Sequence, residues 1–144
     1  MSQTKTNARK AVVQALYQWQ MTGQSLISIE LQFEEDGRLK GIQKSYFKEL
    51  FHGVPSNLDE IDAVLAEFVD RPVDTIDPVE RAILRMGTYE LIFRLEMPYK
   101  VVLNESINLA KHFGADGSHR YVNGILDKVA LQKRAVEIKS KAQG

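Results

Sequence analysis

Residues 77–98 read DPVERAILRMGTYELIFRLEMP, and the fold turns on how this stretch is read. Its first four residues are a helix start. Asp77 at the N-cap accepts from the first free N–H groups, Pro78 at N1 has no N–H to leave unpaired, and Glu80 stands at N3, where a capping box places its acid. Beyond the cap, Val79, Ala82, Ile83, Met86 and Phe93 fall on one side of a helix and Leu84, Leu91 and Leu95 on another. A helix apolar on two sides needs neighbours on both, so this one is expected to be central.

Outward from it, every readable segment repeats with the helical period, and no segment alternates as a strand does. Ala8, Val12, Ala15, Leu16 and Trp19 form the buried stripe of a first helix, with Gly23 at its end. Leu26, Ile29 and Phe33 mark a second helix, stopped by the acidic turn Glu34, Glu35, Asp36, Gly37. Tyr46, Phe47, Leu50 and Phe51 mark a third, stopped by Gly53 and Pro55. Ser56 and Asp59 read as the cap and first-turn acid of a fourth helix carrying Leu58, Ile61, Leu65 and Phe68, and Pro72 breaks the chain after it. Pro98 opens a sixth helix with Leu103, Ile107 and Ala110. A last one buries Val122, Ile125, Leu126 and Val129, and the basic tail QKRAVEIKSKAQG is expected to fray. The fold class is therefore all-α: about seven helices in two antiparallel bundles sharing a central helix. The 144 residues make one domain, with sub-bundles at about 1–73 and 74–144.

Composition bounds the function. The chain is 44% hydrophobic and 26% charged, with no cysteine, no apolar run long enough for a membrane span and no secretory signal in MSQTKTNARK. A cytoplasmic protein without disulfides or thiolate metal sites is expected. Net charge is zero but unevenly spread: +3 over residues 1–24, −6 over 25–70, −1 over 71–97 and +4 over 98–144. Two basic ends flank an acidic middle, a layout that makes a basic face if the ends meet.

The chemistry of catalysis is poorly represented. His52, His112 and His119 lack the i, i+4 spacing and the acidic companions of a metal site, so neither metal nor cofactor is expected, and no enzyme activity. Glu90 lies among Ile83, Met86 and Phe93, where a carboxylate is costly. It reads as a structural ion pair or backbone acceptor, with a hydrolase built on Glu90 and a histidine as the rival.

Residues 113–126, FGADGSHRYVNGIL, have neither P-loop spacing nor a strand before them. Gly114 ends a helix, the chain turns, Ser118 or Asp116 caps the next helix, and Gly124 inside that helix suits a close approach of two helices. Arg120, Asn123 and Asp127 point away from the buried stripe, and Phe113, His119 and Tyr121 add rings around the same turn. Rings beside an arginine and an amide are what single-stranded RNA recognition uses. Tyr17, beside Val13 and Lys10, lies off the first helix's stripe and suits either packing or a partner surface.

Together, ARKAVVQALYQWQ, DPVERAILRMGTYEL and PYKVVLNESINLAKHFGADGSHRYVNGILDKVA resemble the NusB family of bacterial transcription antitermination factors, with the likeness strongest over residues 98–130. The resemblance implies a non-catalytic protein of two helical bundles. It would bind single-stranded boxA RNA of ribosomal RNA leader transcripts together with NusE, a ribosomal protein, within an RNA polymerase antitermination complex. It places RNA contacts at Lys5, Arg9 and Lys10 in the N-terminal arm and at Phe113, Ser118, His119, Arg120, Tyr121 and Asn123. It places the partner-facing surface at Tyr17 and Glu80, and it allows a homodimer that masks the RNA face. Two departures stand out: Thr6 and Asn7 sit where the family arm carries denser arginine, and Gly117 where an acid is common. The alternative is a protein-only helical adaptor that has lost RNA.

Overall fold

A computed structural model describes residues 3–143, and among them every regular element is helical. The order is α1 (Gln3–Thr22), α2 (Leu26–Glu35), α3 (Lys44–Ser56), α4 (Leu58–Ala66), a 3-10 turn at Val73–Thr75, α5 (Pro78–Phe93), α6 (Tyr99–Phe113), α7 (Ser118–Lys133) and α8 (Ala135–Gln143). Contacts divide the chain into two compact units, one ending at Asn57 and one beginning at Leu58. The division precedes the break expected near 73 because α4 packs on α5 and α7.

In the first unit α1 packs on both α2 and α3. Ala8, Val12, Ala15 and Leu16 are fully buried as the stripe requires, while Trp19 is half-buried. Phe33, Phe47 and Phe51 stack in series, with centroids 6.3 and 5.5 Å apart. Gly23, at φ +69°, ends α1 with its N–H on the Trp19 carbonyl at 3.0 Å. One expected boundary fails. α3 runs through Gly53 and Pro55 to Ser56, so Ser56 closes a helix instead of capping the next. A proline in a last turn forfeits a single backbone bond. Asn57 closes the helix two residues later, its side-chain amide and backbone N–H both reaching the Gly53 carbonyl at 2.8 and 3.1 Å.

In the second unit α5 is central, with α4, α6 and α7 packed on it and an unbroken buried run from Arg81 to Leu91. Its start is as expected: the Asp77 carboxylate accepts from Val79 and Glu80 N–H, both at 3.1 Å. Its end is not, since Phe93 is 38% and Leu95 65% exposed. At Gly87 an added Cβ would lie 2.8 Å from Leu126 Cδ1 and 3.1 Å from Ser106 Oγ, so the close approach of helices occurs here. Gly124, expected to serve it, has nothing within 4 Å.

The basic tail forms α8, the helix beyond the expected count. Its anchor is Arg134, only 3% exposed, whose guanidinium donates to the carbonyls of Glu90, Leu91, Arg94 and Met97 at 2.8–3.2 Å and to the Glu137 carboxylate at 2.6 Å. The carbonyls at the end of α5 carry the negative end of the helix dipole, and a buried cation satisfies them together. Glu137 also accepts from the Tyr99 N–H at 3.0 Å, fastening the first turn of α8 to the start of α6.

Candidate nucleic-acid interface

The second unit carries the turn that the sequence singles out. Gly114 closes α6, its N–H on the Ala110 carbonyl at 2.8 Å, and a Cβ there would strike that carbonyl and Ser118 at 2.7 Å. Gly117, at φ +83°, occupies the N-cap of α7 with no side-chain cap, so neither Ser118 nor Asp116 caps this helix. A left-handed backbone favours glycine, which accounts for the residue without invoking RNA.

From this turn α7 sends Arg120 and Asn123 into solvent, while Phe113, His119 and Tyr121 are half-buried. The His112 ring meets Phe113 edge-on at 4.6 Å. Arg71 stands over the Tyr121 ring at 5.4 Å and pairs with Asp70 at 3.0 Å, and the Tyr121 hydroxyl donates to Asp70 at 3.4 Å. The Arg71 guanidinium holds the Asp70 carboxyl below its usual range. Burial pushes the Tyr121 phenol above its ordinary value; the Arg71 charge opposes the shift and the Asp70 charge adds to it. Asp70 and Arg71 thus belong to this edge. Residue spacing does not single them out, because they lie about fifty positions before Tyr121 and meet it only through folding.

Ser118 behaves differently from its neighbours. It is 3% exposed, and its hydroxyl is bonded to the Glu80 carboxylate on α5. An expected RNA contact and an expected partner contact are therefore bonded to each other. Glu80 is half-buried and turns to α7 as well as standing at N3.

The first unit holds the arm. Lys5 is half-buried with its ammonium 5.4 Å from the Tyr46 ring centroid, and Arg9 lies over the same ring at 5.3 Å with Nη2 3.5 Å from the Tyr46 hydroxyl. Arg9 is 1% exposed. A phosphate-binding role expected for it is at odds with this burial, since a side chain 1% exposed offers almost no surface to a ligand. Lys10 is half-buried, and Tyr17 is 41% exposed, off the buried stripe as its position on the helix requires.

Glu90 is 1% exposed and lies inside the buried run of α5, so no substrate in solution touches it. Arg85, also buried, grips Asp62 of α4 through two bonds at 3.0 and 2.8 Å. Among the described residues no three His, Cys, Asp or Glu converge as a metal site, and no helix is long and apolar enough to cross a membrane.

The model of the NusB family matches residues 6–131. The chain belongs to the NusB family. It is 53% identical over 142 residues to the transcription antitermination protein NusB of Nitrosococcus oceani, covering 99% of this chain and 95% of that relative. The NusB of Pseudomonas fluorescens is 48% identical, over 96% of this chain and 84% of its own. Among solved structures, NusB from T. maritima superposes with a TM-score of 0.74 at 28% identity, over 90% of this chain and 92% of its own. A crystal structure of the antitermination factors NusB and NusE in complex with double-stranded RNA has a TM-score of 0.80 at 25% identity, over 90% of this chain and 97% of the other. The α5 capping sequence, the Phe113–Gly114 turn and the exposed face of α7 thus belong to a NusB fold.

Proposed function

We propose that this NusB-family antitermination factor binds single-stranded boxA RNA of ribosomal RNA leader transcripts jointly with NusE, within an RNA polymerase complex in the cytoplasm. It catalyses no reaction. The observation that carries the reading is the start of α7, where Arg120 and Asn123 are exposed and Phe113, His119 and Tyr121 are half-buried around the same turn, in a chain whose structural relative was crystallised with NusE and double-stranded RNA. Arg120 supplies charge to a phosphate and Asn123 an amide to a base edge. Phe113, His119 and Tyr121 supply ring faces, each able to stack a base for about 1–3 kcal/mol. Lys5 and Lys10 of the first unit supply further charge for phosphates, and Tyr17 and Glu80 are the residues offered to the protein partner. A homodimer, where it forms, would mask this face.

A second reading, a protein-only adaptor, is favoured by the burial of Arg9 and Ser118, which thins the set of groups open to RNA. Polarisation titration of a labelled boxA-like RNA, alone and with NusE, at two salt concentrations separates the two. Binding that tightens with NusE and weakens several-fold in Arg120→Ala is expected. Absence of RNA binding in both conditions, with NusE still captured, makes the adaptor the right description.

A further inference from the structure

The family-like arm is short of arginine, yet the first unit gathers cations elsewhere. A pocket of about 210 Å³ is lined by Asn7, Lys10 and Gln14 of α1, Phe33 of α2, and Arg38 and Lys40 of the loop that follows. Three of these side chains are cationic, and none of the described residues lining the pocket is acidic. Like charges gathered with no acid among the lining residues, which include neither Glu35 nor Asp36 of the preceding turn, repel one another, so the arrangement gains by taking up an anion.

The loop is held in place. Asn7 donates its amide to the Gly41 carbonyl at 3.3 Å, and the Gln43 N–H reaches the Thr4 carbonyl at 3.1 Å, so residues 37–43 are strapped to the first turns of α1. The Arg38 guanidinium lies over the Phe33 ring at 3.8 Å and bonds the Gln14 side-chain oxygen. One of its five N–H donors is engaged there, which leaves a fork suited to a phosphate. Of the acidic turn before the loop, Glu34 is taken up by Lys44 at 2.8 Å. The volume suits a phosphate and falls short of the roughly 300 Å³ at which sites for larger ligands begin.

We infer that this pocket binds a backbone phosphate of the RNA strand, with Lys10, Arg38 and Lys40 supplying charge that the arm lacks at Thr6 and Asn7. The inference rests on the RNA-binding reading above. Asn7, where the family arm carries arginine, acts here by fastening the loop that brings Arg38 and Lys40 to the site.

The test is a polarisation titration of single-stranded RNA across a salt series with the wild-type protein, Lys40→Ala and the double variant Arg38→Ala/Lys40→Ala. Lys40→Ala guards against a folding defect caused by unstacking Arg38. Each phosphate contact contributes about 0.7 to the slope of log affinity against log salt on a single strand. The variants are expected to bind several-fold more weakly, with a slope lower by about 0.7, for boxA and scrambled RNA alike. Variants that fold and match the wild type in affinity and slope overturn the pocket and leave the functional reading standing. A wild type that binds no RNA, with or without NusE, removes both. Inorganic phosphate and RNA are added separately while amide and side-chain NMR signals of Lys10, Arg38 and Lys40 are followed. Shifts with inorganic phosphate alone, and none with RNA, make this a free-anion site and overturn the RNA assignment.

Discussion

Ser118, the first residue of α7, donates its hydroxyl to the carboxylate of Glu80 in the first turn of α5. The bond ties the turn proposed to meet RNA to the helix proposed to meet the protein partner, and it does so at a serine that is almost wholly buried. A hydrogen bond to a charged group contributes about 1.5–3 kcal/mol. Ser118→Ala is therefore expected to lose stability in that range, read as a lower urea midpoint at unchanged slope. RNA affinity should fall less than it does in Arg120→Ala, because Ser118 has no surface to offer a base. The reverse order would show that the turn opens on binding.

Three glycines are expected to respond differently to alanine. Gly114→Ala drives a Cβ to 2.7 Å from a backbone carbonyl, which cannot step aside. Gly87→Ala meets a leucine methyl at 2.8 Å in a filled core. Overpacking there costs about 1–3 kcal/mol, less the ~1 kcal/mol of helix propensity that alanine returns. Gly124→Ala meets nothing and should be stabilising by up to about 1 kcal/mol. Thermal unfolding should rank Gly124→Ala above wild type, Gly87→Ala below it and Gly114→Ala lowest.

Removing Arg134 takes its guanidinium from four carbonyls, of which Glu90 and Arg94 keep a backbone N–H, and from the Glu137 carboxylate. Breaking a buried pair from one side costs about 3–5 kcal/mol. Arg134→Ala should lose that much and free α8, seen as faster amide exchange over residues 135–140. Arg134→Lys should recover only part of it, because a point charge with three donors cannot reach five acceptors at once.

The Tyr121 edge should report pH. Burial places its phenol above the ordinary 10.0, so the contribution is full below that value and is lost as pH rises through the folded value. Asp70 adds to the rise, so Asp70→Asn should move Tyr121 ionisation downward. Arg71 opposes it, so Arg71→Ala should move ionisation upward. Absorbance titration at about 295 nm, taken as a difference from Tyr121→Phe, reads both shifts. The Asp70 carboxyl runs the other way: held low by Arg71, its contribution is present above the ordinary carboxylate value of 3.8 and is lost as pH falls through the lowered one.

Much of the fold is legible because it is written in local periodicity. The stripe of Ala8, Val12 and Leu16, the cap at Asp77 and the stops at Gly23 and Gly114 depend on neighbours within a turn or two. Pro55 is not the boundary its residue type suggests, because α3 tolerates one lost backbone bond in its last turn and closes at Asn57, two residues on. The tail reads as frayed because its apolar content is low; what orders it is the reach of Arg134 back to carbonyls some forty positions earlier.

The site divides along the same line. Sequence by itself determined which residues stand off the buried face of α7, since a helix of known phase puts Arg120 opposite the stripe of Val122, Ile125, Leu126 and Val129 and Asn123 to one side of it. It also determined that the middle of α5, Arg81 to Leu91, is buried all round, from its two apolar sides. Only the tertiary structure decided that Arg9 is buried against Tyr46, that Ser118 is bonded to Glu80, that Arg71 covers Tyr121, and that Arg38 and Lys40 come to stand beside Lys10. The reason is physical. Whether a charge is available to a ligand depends on which atoms desolvate and neutralise it, and those atoms come from other helices and loops that the local pattern of residues does not encode.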